Sequence, residues 1–279
     1  MSVLVPEEIS FIISSDPDNG ASNVSSDGHY FEVNLEDALQ IPTEALNVNL
    51  SVQESTIWWT IPNIVTSVND KLYITGPNKS DVSTNFVITI PQGLYDLTGL
   101  NQTIQRELET SNAKISPDPL IALTGDEATQ KVEIRFNYTA TSIDFTQTNT
   151  FREIIGFNSA VIGPFATVPN TVLAGGVAAF NSVNYFLIHS DLVGRGIRFN
   201  KEYNQTIAQV LIDTSPGTQI VSKPFNPSKI NCQELAGATR KKLRFWLTDD
   251  KNRPVNTNNE YYSARVVIDY LLPKVLAKT

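Results

Sequence analysis

The chain is 279 residues long, 30.8 kDa in mass, with a formal net charge of -8 and 18% charged residues. That length can bury a sizeable core in one large β-domain or two small ones, and the acidic balance repels nucleic acid and anionic membranes, which excludes wholesale DNA packaging by this surface. A charged fraction below the roughly 25% of ordinary soluble domains, with recurrent Asn, Thr, Ser, Val and Ile, favours strands, turns and subunit contacts over solvated helices.

In chain order, Pro6, Glu7 and Glu8 stand where a signal peptide needs a basic and then an apolar region. A short strand is predicted over residues 9–13, then an exposed loop over residues 16–28, rich in Ser, Asp, Asn and Gly. Eight principal strands follow. Phe31, Val33 and Leu35 alternate with Tyr30, Glu32 and Asn34. Leu46, Val48, Leu50 and Val52 keep a period of two against Asn47, Asn49, Ser51 and Gln53, so one face meets a core. Phe86, Ile88 and Ile90 make the third strand, ended by Pro91 and Gly93. Asp96 then caps a predicted helix whose Leu97, Leu100, Ile104 and Leu108 form one stripe, with Gln102, Gln105, Arg106 and Glu107 towards solvent.

Val132, Ile134 and Phe136 are the fourth strand. A turn over residues 150–155 places Phe151, Ile154 and Ile155 against one end of the core before Gly156 and Phe157. Residues 158–181, with Gly163, Pro164, Pro169, Gly175 and Gly176, read as a long irregular loop of the kind that serves function or an interface. The fifth strand, residues 183–189, is nearly all apolar and is expected to be covered on both faces. The sixth runs over about residues 205–213. Cys232, the one cysteine, rules out an internal disulfide framework and reads as a small buried apolar residue. The seventh strand carries Leu243, Phe245 and Leu247, and the eighth Ala264, Val266, Ile268 and Tyr270. No apolar run approaches the ~18 residues of a membrane span. A reducing, cytosol-like compartment is therefore expected, and the sequons at Asn23, Asn49, Asn78, Asn101, Asn137 and Asn204 read as chance matches.

No internal repeat, heptad pattern or long linker divides the chain. The organisation read from it is an N-terminal arm, short strand and loop over residues 1–27, and one domain over residues 28–279 with a helix insertion at about 96–110 and the long loop at 158–181. Eight strands with few helices predict an all-β fold, an eight-stranded single jelly roll or another β-sandwich.

Five segments, in this order, carry a family resemblance: residues 55–64 (STIWWTIPNI), 88–108 (ITIPQGLYDLTGLNQTIQREL), 151–157 (FREIIGF), 185–193 (YFLIHSDLV), and 242–269 with its central DDKNRPV. Together they resemble the penton, or minor capsid, proteins of virophage-like and Polinton-like double-stranded DNA viruses. The resemblance implies a single jelly roll with the 96–108 helix inserted between its D and E strands. It also implies a homopentamer at fivefold vertices that abuts a larger, double jelly-roll major capsid protein. The implied location is the virion, after synthesis in the host cytoplasm or a viral factory. The family has no catalytic motif to match.

Several constellations invite chemistry. His189-Ser190-Asp191 begins as the facial triad of a non-haem iron oxygenase does, but the second histidine that the triad needs downstream is missing, since His29 lies upstream. The three also fail as a Ser/His/Asp triad, because adjacent strand residues face opposite ways. Asp16, Asp18, Asn19, Gly20 and Asp27 hint at a calcium loop, yet Gly20 and Asp27 occupy the fifth and twelfth positions, where an EF-hand needs Gly at the sixth and Glu at the twelfth. Arg240, Lys241, Lys242 and Arg244 form the one basic cluster, read as a solvated strand edge or a subunit contact. Trp58, Trp59, Tyr261 and Tyr262 suit either a sugar-binding surface or core and subunit packing, with Trp58 and Trp59 on opposite faces of a strand.

The reading is a structural capsid subunit with no catalytic, cofactor-binding or metal-ligating residue, no specific nucleic acid and no membrane span. Trp58, Trp59, Arg240, Lys241, Lys242 and Arg244 are its interface candidates. A glycan-binding sandwich of a spike or fibre tip, and an oxygenase-like jelly roll, are the alternatives.

Overall fold

The structure is a computed structural model and describes residues 2–181, 183–199 and 202–275. Before residue 62 come β1 (Ser2–Ser14), β2 (Ala21–Ser22), β3 (Tyr30–Gln40) and β4 (Leu46–Trp58). Residues 62–182 hold β5 (Lys71–Pro77), β6 (Ser83–Thr89), α1 (Leu97–Thr110), β7 (Ile121–Asp126), β8 (Lys131–Phe136), β9 (Ser142–Asp144), β10 (Val161–Ile162) and β11 (Asn170–Leu173). Then follow β12 (Tyr185–Ser190), β13 (Arg198–Phe199), β14 (Glu202–Tyr203), β15 (Thr206–Leu211), β16 (Gln219–Ser222), β17 (Ile230–Asn231), β18 (Thr239–Thr248) and β19 (Ser263–Val275). The all-β class is as predicted, and the strands outnumber the eight read from alternation.

The chain divides into two compact units, Met1–Ile61 with Val183–Thr279, and Pro62–Ser182. Residues 28–279, read from the sequence as one domain, are shared between them.

Two antiparallel sheets build the first unit. One has the order β1-β19-β4-β16, with β17 also on β4, and the other the order β15-β12-β18-β3-β2. Lettered B to I in chain order, the strands β1, β3, β4, β12, β15, β16, β18 and β19 give a B-I-D-G sheet and an F-E-H-C sheet, which is the connectivity of a jelly roll. The whole 62–182 segment, helix included, is spliced between strands D and E.

Two of the eight predicted strands, those of Phe86 and Val132, belong to the second unit instead. Their places in the roll are taken by two segments that alternation reads poorly. The predicted short strand at residues 9–13 extends to 13 residues as β1, paired with β19 from Ser2↔Val275 to Ser14↔Ser263. As an edge strand it needs only one ladder, so Pro6, Glu7 and Glu8 are tolerated and the apolar period is blurred. Strand G is broken: β16 and β17 both pair with β4, and residues 223–229, with Pro224 and Pro227, loop out between them.

The core of the first unit follows the pleat. Val48 and Leu50 of β4, Leu243, Phe245 and Leu247 of β18, and Val266 and Ile268 of β19 are fully buried. Phe31 stacks on Phe245 at 5.6 Å and meets the edge of Tyr262 at 5.3 Å. β12 is buried on both faces from Phe186 to Ser190, as its apolar run predicts.

The second unit has its own core. Sheets β10-β9-β5-β6 and β11-β8-β7 contribute Leu72, Ile74, Ile134, Phe136 and Ile143, and α1 contributes Leu100, Ile104 and Leu108. Asp96 caps α1 by accepting a hydrogen bond from Gly99 N at 2.7 Å. Phe151 and Ile155 are buried in the same core, and Gly156 closes their turn at φ 76°, where a Cβ would lie 2.3 Å from the Gly176 carbonyl oxygen. The 158–181 excursion is not wholly irregular, since it supplies β10 and β11 to these sheets.

Candidate functional site

The basic cluster lies on the part of β18 that pairs with β3 alone, since β3 runs along residues 239–246 whereas β12 pairs only with residues 245–248. On the β12 side residues 239–242 have no strand partner among the described residues, so the cluster sits where the sheet is open along one edge. Leu243 and Phe245 point to the core at 0% exposure, and Lys242 and Arg244 point outward.

Outward does not mean free. Register places Glu32 of β3 opposite Arg244. Its carboxylate accepts from Lys242 Nζ at 2.8 Å, Arg244 Nε at 3.3 Å, the Tyr30 hydroxyl at 2.8 Å and Asn23 Nδ2 at 2.8 Å. These donors cover Glu32, which is only 5% exposed although alternation puts it on the outer face. The Lys242 bond, then those of Tyr30 and Asn23, hold its carboxyl down to about 2. Asp191 completes the set, accepting from Arg244 N at 3.0 Å and lying 4.0 Å from the guanidinium.

Four cations thus separate into two pairs. Lys242 and Arg244 are the counter-ions of Glu32, whereas Arg240 and Lys241 are exposed and have no side-chain hydrogen bond or ion pair among the described residues. Between the pairs the register jumps, from Arg240↔Leu39 to Lys242↔Asn34, an irregularity that turns the strand locally. A shallow cleft of about 310 Å³ runs along Thr239 to Lys242, with Arg244 and Asp191 in its wall. Glu32, Tyr30, Asn23 and Asp191 escape a sequence reading because they meet the cluster only through the pairing of β3, β12 and β18.

The other sequence candidates are placed as follows. His189 is fully buried, with Nε2 2.7 Å from Thr248 Oγ1 and Nδ1 3.2 Å from Thr206 Oγ1, so both ring nitrogens are engaged by hydroxyls. Burial pushes its imidazole down to about 4. Asp191 is turned to Arg244. Asp16 accepts from Asp18 N and Asn19 Nδ2, both at 2.9 Å, opening a 3-10 turn that ends at Gly20 with φ 91°. Asp27 belongs to a different set, with Ser25 at 2.6 Å and His29 at 2.5 Å, so the loop's carboxylates do not converge. Among the described residues no group of three or more His, Cys, Asp or Glu side chains converges as a metal site.

Trp58 and Trp59 face opposite ways, Trp59 buried at 5% and Trp58 exposed at 37%. Because Ile57 and Ile220 pair inward, Trp58 shares the outer face with Gln219 and Val221, and Phe225, in the loop that follows β16, is fully exposed.

No family model matches the chain, and no curated protein matches its sequence. The chain is similar to two solved virophage structures. One is the selenomethionine-labelled mavirus penton protein, at 11% identity and TM-score 0.48, covering 95% of this chain and 100% of that one. The other is the Sputnik virophage, solved by cryo-electron microscopy, at 13% identity and TM-score 0.41, covering 95% of this chain and 98% of that one. The five family-like segments fall at the end of β4, in β6 and α1, in the Phe151 turn, on β12, and on β18 and β19. No helix among the described residues is long and apolar enough to cross a membrane.

Proposed function

We propose that the chain is a non-enzymatic subunit of an icosahedral virus shell, a penton that forms homopentamers at the fivefold vertices and abuts a double jelly-roll major capsid protein. The observation that carries this reading is the complete B-I-D-G and F-E-H-C roll with its insertion between D and E, the connectivity that the five-segment resemblance implies. A rigid sandwich suits the work. Its flanks contact identical neighbours and bury apolar surface, worth about 25 cal/mol per Å², in a ring that closes without unpaired sides.

The surface chemistry supports such contacts. Trp58, Val221 and Phe225 are exposed on or next to β16 and the end of β4 that it pairs with, and the aromatic pair among them is of the kind that anchors interfaces. Arg240 and Lys241 remain available for carboxylates of a neighbour, while Lys242 and Arg244 are spent on Glu32. A net charge of -8 argues against DNA as the partner of that cluster. Cryo-electron microscopy of purified particles is the test. Five copies around each fivefold axis are expected, and copies in sixfold-like capsomers or only in protruding fibres would reject the reading.

A further inference from the structure

We propose that the cleft between residues 15–28 and 257–261, at one end of the jelly roll, binds a neutral saccharide. The cleft holds about 250 Å³. That is somewhat below the roughly 300 Å³ at which drug-sized pockets begin, a space for about one sugar ring.

Its walls are fixed before any ligand arrives. Thr257 N and Oγ1 donate to Asp27 O at 2.8 and 3.3 Å. Ser15 N donates to Tyr262 O at 2.9 Å, and Tyr262 N returns a bond to Ser15 Oγ at 2.9 Å. The buried Tyr262 hydroxyl donates to His29 O at 2.8 Å, and Asp27 ties Ser25 and His29 together. The two loops are so close at Gly28, φ 75°, that a Cβ there would meet Thr257 Oγ1 at 2.1 Å. A pre-formed cleft avoids the ordering cost that weakens binding by mobile loops.

The lining left over has the chemistry of sugar recognition. The side chains of Ser26, Asn259, Glu260 and Tyr261 make no hydrogen bond within the described residues, although all four line the cleft. Tyr261 is 50% exposed while its neighbour Tyr262 is 2% exposed, so the Tyr-Tyr pair divides into a wall and an anchor. An open aromatic ring suits the apolar C–H face of a pyranose. A planar carboxylate and a planar carboxamide suit vicinal hydroxyls, and a serine hydroxyl both donates and accepts. No Lys or Arg lines the cleft, and Glu260 places a negative charge in it. Sialylated, sulfated and phosphorylated sugars are therefore disfavoured. The site is independent of the vertex reading and stands or falls separately from it.

The test uses the full chain on an array of neutral and sialylated glycans, followed by saturation-transfer NMR and titration with the free saccharide that binds best. Neutral glycans should bind. Tyr261→Ala should weaken that binding at least about tenfold, ~1.4 kcal/mol, with the unfolding midpoint unchanged, and Trp58→Ala should leave it intact. If Tyr261→Ala lowers the midpoint, the exposed Glu260→Ala variant provides the same comparison. Binding of no saccharide, of sialylated glycans alone, or binding that survives both cleft variants would overturn the proposal.

Discussion

His189, fully buried, lies flat against Trp246, ring centroids 5.3 Å apart and planes within 4°, and among the described residues its ring nitrogens have the Thr206 and Thr248 hydroxyls as hydrogen-bond partners. No carboxylate among the described residues pairs with the ring, and burial disfavours its charged form. With the folded value near 4 and the unfolded value near 6.5, the unfolded chain takes up a proton that the folded one refuses. Stability should therefore be full above about pH 6.5 and fall as pH drops towards 4, by about 3 kcal/mol in all. Urea unfolding of wild type and His189→Gln at pH 7 and pH 4.5 checks this. The variant should show the shallower loss, and parallel losses would remove His189 as the cause.

Glu32 acts in the same direction over a lower pH window. Its carboxyl is held down to about 2 from an ordinary 4.5, so its contribution is present above pH 4.5 and vanishes as pH falls towards 2. Glu32→Gln should lower the thermal midpoint at pH 7, because Lys242 and Arg244 lose their counter-ion. The gap to wild type should narrow at pH 2.5. A constant gap would mean that packing, rather than charge, sets the effect.

In the second unit, Ile104 is fully buried on the inner stripe of α1. Ile104→Ala should cost about 2 to 4 kcal/mol through lost transfer energy and a residual cavity. Hydrogen exchange of the α1 amides should accelerate accordingly, and unchanged protection would show that the helix holds without this contact.

Gly156 is the position least tolerant of a side chain in that unit, by conformation and by space. Its φ of 76° and the 2.3 Å approach to Gly176 O both oppose a Cβ. Gly156→Ala should destabilise by at least about 2 kcal/mol. Gly175→Ala, whose nearest neighbour is the movable Asn158 side chain at 3.2 Å, is the control and should change the midpoint far less.

Strands with one buried and one wet face were legible in the sequence, as in Val48 and Leu50 of β4, Leu243 and Phe245 of β18, and the stripe of α1. Burial writes a period into composition only where one side is dry. An edge strand such as β1 is half released from that demand, and the four residues of β16 are too few to show a period. The division into two units was hidden for a different reason. Phe86 and Val132 alternate as cleanly as Phe31, and alternation says that a face is buried without saying in which core. The site was legible by half: Lys242 and Arg244 were visible as cations, while their commitment to Glu32 depends on strands more than 200 residues apart coming into register.

The pairing of β1 with β19 also fixes the order in which the molecule can be completed. Of the strands made before the insertion, β1, β3 and β4 take every long ladder from β16, β17, β18 or β19, all of which leave the ribosome later. The second unit has its partners within residues 62–182. Synthesis therefore delivers a unit able to close on itself while the first strands of the roll still wait, unpaired, for the last residues of the chain.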